Sequence, residues 1–195
     1  MMLRRRVMYF LVFWVVLTLL PSAREVRADA KEKYTRTIVK YVCPNVTLLD
    51  QNGKKVKLVT LLNSRKVVMV DFIFTTCTTI CPVLSAGFSN FQKKIGQDSK
   101  NVLLVSITID PENDRPGRLK DYLKRYNAKP GWVFLTGTRA DIDKVLIALD
   151  AYTATKESHL PLALLYNSAE KQWVRIFGLI GTSDLIAEYE KALKL

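Results

Sequence analysis

The apolar residues of the chain fall into runs with two periods, and these set out the elements. Lys66-Val-Val-Met-Val-Asp-Phe-Ile-Phe74 is almost continuously apolar and rich in β-branched and aromatic residues, the pattern of a strand covered on both faces. After Pro82, residues Leu84, Phe88, Phe91 and Ile95 recur at i, i+4, i+7 and i+11, which predicts one buried face of a helix. Val102 to Ile109 repeats the buried-strand pattern. Pro116 opens a second helix with Leu119, Leu123 and Tyr126 on one side, and Gly131-Trp-Val-Phe-Leu135 predicts another strand. Asp141 to Leu149 predicts a third helix with Ile142, Val145 and Leu149 inward. Leu162 to Tyr166 and Trp173 to Phe177 predict two strands joined by a polar turn, and Ser183 to Leu193 a closing helix. Upstream, Thr47 to Leu58 divides into two short strands about Asn52-Gly53, the dipeptide that most strongly favours a tight hairpin. Trp132 and Trp173 lie on strands, where packing in the core is their default role.

The order hairpin, β-α-β-α-β-α-β-β-α predicts an α/β fold: a three-layer sandwich with a central mixed sheet and an added N-terminal β-hairpin. Crossover handedness constrains the helix faces, and ligand sites belong at the carboxyl ends of the strands. The first thirty residues stand apart. Arg4-Arg5-Arg6 precedes an apolar stretch from Val7 to Leu20 and then Ala28-Asp29-Ala30, which reads as an export signal with a small-residue cleavage site. That stretch is short for a membrane span, and a brief uncleaved anchor is the alternative. Residues 31–195 then form one domain outside the cytoplasm, in the periplasm or on the outer face of the inner membrane, where disulfides persist.

The whole chain has 30 Lys and Arg against 18 Asp and Glu, a net charge of +12. Five of the basic and two of the acidic residues are in the leader, so the domain keeps +9. The charges are scattered, which favours a solvated basic surface over a dedicated anionic partner, although a membrane surface would suit the sign. No nucleic-acid motif is present, which excludes nucleic acid as a partner.

Candidate chemistry sits where the first long strand ends. In Phe72-Ile-Phe-Thr-Thr-Cys77-Thr-Thr-Ile-Cys81-Pro82 two thiols meet a prolyl helix start. If helical dihedrals reach back to Cys77, both sulfurs share one face, and the helix N-terminus favours thiolate over thiol. Such a pair can exchange with a disulfide or hold a soft metal. The topology is that of thioredoxin, but the spacing C-x-x-x-C differs from the redox motif C-x-x-C. The chain has one histidine, His159, directly before the strand Leu162 to Tyr166. In that topology this segment faces the first βα turn. Two thiolates and one imidazole suit Cu(I), and with a fourth ligand they also suit zinc.

At this point the chain resembles the Sco/SenC family of thioredoxin-like proteins, copper-delivery factors for cytochrome c oxidase assembly. The resemblance runs through Leu49-Asp-Gln-Asn-Gly53, Asp71-Phe-Ile-Phe-Thr-Thr-Cys77-Thr-Thr-Ile-Cys81-Pro82, Thr108-Ile-Asp110-Pro111-Glu-Asn-Asp114-Arg-Pro116, Phe134-Leu-Thr-Gly-Thr138 and His159. It implies a thioredoxin-like domain with an added hairpin, often tethered to a membrane, whose two motif cysteines and distal histidine bind copper. By that resemblance Cys77, Cys81 and His159 are the metal ligands, Cu(I) and also Cu(II) the cargo, and a cytochrome c oxidase subunit with a copper site the partner. A thiol-disulfide oxidoreductase that reduces the acceptor's cysteines through Cys77 and Cys81 is the competing expectation. Two positions depart from the family. Ser158 stands where an aspartate usually precedes the histidine, and the turn Asn167-Ser-Ala-Glu-Lys-Gln172 lacks the usual glycine.

Asp110 and Asp114 are expected to be structural: an Asp-Pro turn, and an aspartate near the next helix start. A supporting role around the metal, or contact with the partner, is the alternative for both. Cys43, before Pro44, is the odd thiol, open to three readings: free, paired between chains, or a buried small hydrophobe. Asn45-Val-Thr47 matches a glycosylation acceptor, silent in most bacterial hosts.

Overall fold

A computed structural model describes residues 34–65 and 67–194; the leader assigned to residues 1–30 lies outside the described residues. Eight strands form one sheet in the order β1-β8-β7-β4-β5-β6-β2-β3. At its centre β4 (Val67–Ile73) pairs in parallel with β5 (Val102–Thr108) and antiparallel with β7 (Leu162–Asn167). Every residue of β4 and β5 is buried, as their unbroken apolar runs require. Beyond β5, β6 (Trp132–Thr136) continues the parallel set. Beyond β7 come β8 (Gln172–Gly178) and the edge strand β1 (Tyr34–Val39), both antiparallel to their neighbours. The sheet is mixed, as the element order predicts.

The expected hairpin is β2 (Thr47–Asp50) with β3 (Lys55–Lys57), added to the sheet beside β6. Asp50 Oδ1 accepts hydrogen bonds from the Asn52 and Lys54 N–H groups, and Gly53 takes φ 78°, a conformation that favours glycine. Leu58, which the sequence pattern places in the second strand, instead opens a short helix, α1 (Leu58–Leu62). Both Leu58 and Leu62 are buried, so core packing takes the residue that would have been the fourth of the second hairpin strand.

Helices α2 (Ile80–Ile95), α3 (Pro116–Arg125), α4 (Arg139–Ala148) and α5 (Thr182–Lys194) follow β4, β5, β6 and β8. Of the residues predicted to face inward, Leu84, Phe88 and Phe91 of α2, Leu119 and Leu123 of α3, Ile142 and Val145 of α4 and Leu149 just after it are buried, while Ile95 and Tyr126 at the helix ends pack half-buried against the core. Phe91 of α2 meets Tyr189 of α5 edge to face, with ring centres 5.5 Å apart. Ser85 Oγ of α2 lies 3.1 Å from Tyr122 Oη of α3, so α2 is flanked by α3 and α5. Trp132 and Trp173 are core residues, and Trp132 Nε1 donates to Ser106 Oγ at 3.0 Å. Among the described residues no helix is long and apolar enough to cross a membrane.

Because β4 and β5 are parallel and β7 runs against them, three chain segments meet at one end of the sheet. They are the exit of β4, the exit of β5 and the entry of β7.

Candidate metal centre

The exit of β4 is the loop that carries Cys77. Helical hydrogen bonding starts at Ile80, so the dihedrals do not extend back to Cys77 as the spacing had suggested. Cys77 instead folds over the helix start: its Sγ accepts a hydrogen bond from the Cys81 N–H at 3.4 Å and lies 3.6 Å from Thr79 Oγ1. Thr79, the residue at the N-cap position, makes no side-chain capping bond, and the thiol of Cys77 takes that place. Pro82 falls within the first turn, where its missing N–H removes no helical bond.

The two thiols are unequal. Cys81 is fully buried, and that burial pushes its thiol well above the ordinary value. Cys77 is half-buried; its partial burial pushes upward too, but hydrogen bonds from Cys81 and Thr79 outweigh this and bring it down to about 7. No disulfide joins them, and Cys43 is also a free thiol.

His159 follows a 3₁₀ turn (Lys156–Ser158) at the entry of β7 and is 8% exposed. Its Nε2 is 2.7 Å from the carbonyl oxygen of Phe72, on the neighbouring strand β4. A carbonyl only accepts, so Nε2 carries the proton and Nδ1 carries the lone pair. Burial lowers the imidazole's pKa, against the opposing pull of the Phe72 carbonyl, which keeps the ring neutral and able to bind a metal. Cys77 and His159 line one open pocket of about 380 Å³, together with Phe74, Thr79, Lys156 and Glu157. Among the described residues, no three His, Cys, Asp or Glu side chains already stand close enough to hold a metal ion. The structure thus joins the two cysteines and places the histidine on the wall of the pocket that Cys77 lines, short of a closed three-ligand site.

Donor chemistry fits a soft cation: one sulfur near its thiolate form, a second beside it, and a neutral imidazole whose orientation is set by a backbone carbonyl. A thiol held above its ordinary value is no obstacle, since a bound metal displaces the proton.

Asp110 and Asp114 do more than shape a turn. Asp114 has no exposed surface, and its carboxylate accepts from the Thr75 N–H at 3.0 Å, the Thr75 hydroxyl and the Thr108 hydroxyl at 2.6 Å. It does not cap α3, whose N-cap position is Arg115. Asp110 accepts from Lys156 Nζ at 2.7 Å and from Asn113 Nδ2. Neither Lys156 nor the Phe72 carbonyl is marked as part of the site by the sequence pattern, since a backbone atom leaves no trace in a pattern of side chains. Cys43 is half-buried against the core; burial raises its thiol to about 12, in keeping with a small hydrophobe.

Residues 39–178 match the model of the SCO1/SenC family. The SCO1 protein homolog of Bacillus subtilis (strain 168) is 38% identical over 110 residues, 55% of this chain and 55% of the relative. The SCO2-like protein RT0576 of Rickettsia typhi is 33% identical over 102 residues, 50% of this chain and 46% of the relative. These matches span about half the length of those curated relatives. Among solved structures, BsSco, a member of the Sco family of cytochrome c oxidase assembly proteins with a disulfide switch, superposes with a TM-score of 0.68 at 29% identity, covering 83% of this chain and 98% of that one. ScoI of Bradyrhizobium japonicum, solved with copper bound, gives a TM-score of 0.64 at 28% identity, covering 77% of this chain and 99% of that one. With its mixed sheet, its cysteine pair at the exit of β4 and a family match over most of the domain, this thioredoxin-like chain belongs to the SCO1/SenC family.

Proposed function

We propose that this protein carries copper through Cys77, Cys81 and His159 and passes it to a cytochrome c oxidase subunit with a CuA-type site during assembly. The observation that carries this reading is the orientation of His159. The Phe72 carbonyl engages Nε2, so Nδ1, with its lone pair, is the ring nitrogen left to bind, on a residue that lines the same pocket as Cys77. Copper-bound ScoI and the assembly role of the Sco family supply the identity of the cargo and the class of partner. Two soft sulfurs and one nitrogen favour Cu(I), and an imidazole also suits Cu(II). An open, shallow pocket lets an acceptor's ligands replace these three one at a time. The export signal read in residues 1–30 supports a site of work outside the cytoplasm, in the periplasm or on the outer face of the inner membrane, as part of this reading.

The inequality of the thiols favours a second reading, thiol-disulfide exchange with the acceptor. The Cys77 thiolate attacks one sulfur of the acceptor's disulfide, and the other sulfur leaves as a thiolate and takes up a proton. The Cys81 thiol then loses its proton and attacks Cys77 Sγ, releasing the second acceptor sulfur. The acceptor gains two electrons and Cys77–Cys81 becomes a disulfide. Here the imidazole is dispensable.

A competition titration with a Cu(I) chelator separates the two. The reduced protein is expected to bind one equivalent, with affinity lost in Cys77→Ser/Cys81→Ser and lowered at least about a hundredfold in His159→Ala. Equal affinity in wild type and His159→Ala, with disulfide reductase activity retained, would leave exchange as the function.

A further inference from the structure

The loop between β5 and α3 reaches both halves of the site. On one side, buried Asp114 takes two hydrogen bonds from Thr75, through its N–H and its hydroxyl. Thr75 is two residues before Cys77, whose N–H is itself bonded to the Phe74 carbonyl at 3.1 Å, so Asp114 pins the thiol loop where it leaves β4. On the other side, Asp110 holds Lys156 Nζ at 2.7 Å. Lys156 opens the 3₁₀ turn that ends at His159, its carbonyl accepts from the His159 N–H at 3.2 Å, and its ammonium stands 5.5 Å from the centre of the Phe74 ring. One hydroxyl joins the two arms. Thr108 Oγ1 accepts from the Asp110 N–H at 2.9 Å and donates to Asp114 at 2.6 Å.

Burying a carboxylate is costly unless donors surround it, and three donors here, the Thr75 N–H and the Thr75 and Thr108 hydroxyls, surround one that no helix cap requires. Lys156 likewise gives up most of its rotamer freedom to a single ion pair. Both costs have a return if the loop holds the cysteine segment and the histidine turn in a fixed relation, because closing a prearranged site on a metal loses less entropy than ordering a loose one.

We propose that Asp114 and Lys156 are positioning residues. Through residues 108–114 they hold the loop of Cys77, with Cys81 beneath it, and the turn of His159 in a fixed relation about the pocket that Cys77 and His159 line, ready to close on the metal. The Lys156 arm rests on the copper reading above, whereas the Asp114 arm also governs the metal-free dithiol.

The test uses the full chain and two readouts: the equilibrium between dithiol and disulfide in glutathione buffers without metal, and Cu(I) affinity by chelator competition. Lys156→Met is expected to weaken Cu(I) binding about tenfold and leave the dithiol equilibrium where it is in wild type, with Lys156→Arg restoring affinity. Asp114→Asn is expected to move the dithiol equilibrium as well as to weaken Cu(I) binding. Thr75→Val, which removes one donor to that carboxylate at nearly constant volume, carries the same expectation if Asp114→Asn does not fold. Unchanged or tighter Cu(I) binding in Lys156→Met, where wild type binds, would overturn the proposal, as would an unmoved dithiol equilibrium in the Asp114 and Thr75 variants. If wild type binds no Cu(I), the copper reading falls, and the dithiol equilibrium alone decides the positioning role of Asp114.

Discussion

Cys77 and Cys81 are four positions apart, yet the chain puts one sulfur at a helix start and the other in the core, and their chemistry diverges. With its thiol near 7, Cys77 is about half thiolate at neutral pH, while Cys81 stays protonated unless a metal or a partner sulfur displaces the proton. Alkylation by iodoacetamide should therefore rise with an inflection near pH 7 and map to Cys77 alone; equal labelling of Cys81 would contradict the asymmetry. The spacing showed that the thiols belong together. It did not show which one is reactive, because that depends on a cap formed by the Cys81 N–H and on the depth of Cys81 in the core. Asp71 makes the same point. A carboxyl within an otherwise apolar strand is visible in the sequence, but its state is not. Fully buried, it is raised from 3.8 to about 7 by burial, which outweighs the opposing pull of the Ser106 hydroxyl and its own backbone N–H. Between those values the folded protein binds a proton that the unfolded chain releases. This carboxyl's contribution to stability thus falls as pH rises from about 4 to 7, and the penalty is complete above that. Asp71→Asn should flatten the stability profile over that range and raise stability at pH 8 by about 2 kcal/mol, as read by urea unfolding. An unchanged slope would show that Asp71 is not its source.

At the scale of elements, the sequence pattern was most informative where an element is buried on a full face or on both. β4, β5 and the inward stripes of α2, α3 and α4 follow directly from their apolar periods. Elements that leave little signal in the sequence are short or marginal. The strand β1 alternates weakly, with exposed Thr35, Thr37 and Ile38, and it exists because β8 offers it a partner; arginine-bearing edge segments of this kind give no strong signal. Arg36 is tied to buried Glu188 of α5 at 2.6 Å, a contact 152 residues away in sequence that no local pattern encodes. The helix α1 is five residues long, below the length at which a period can be read. The turn from β7 to β8 is a different case, since its lack of glycine is plain in the sequence and its consequence is visible in the backbone. Lys171 adopts φ 51°, a conformation that costs a side chain about 1 kcal/mol relative to glycine. Lys171→Gly should stabilise the protein by about 0.5 kcal/mol in thermal or urea unfolding, the gain being offset in part by the greater freedom of glycine in the unfolded chain. A loss of stability would mean that Lys171 has side-chain contacts worth more than the strain.

For the whole molecule, the sheet order determines what can meet. Placing β7 against β4, with β5 on the other side, gathers three loops at one end: the cysteine loop, the loop with Asp110 and Asp114, and the turn that ends at His159. The sequence order already placed the histidine segment near the cysteines, but the link between them through Thr108, Asp110, Asp114 and Lys156 needed coordinates. The central claim is that the imidazole is a ligand and more than a neighbour. X-ray absorption at the copper edge of the Cu(I)-loaded protein tests it most directly. The account predicts two sulfurs and one nitrogen around copper, with the nitrogen shell lost in His159→Ala. A sulfur-only shell, identical in wild type and His159→Ala, would contradict it.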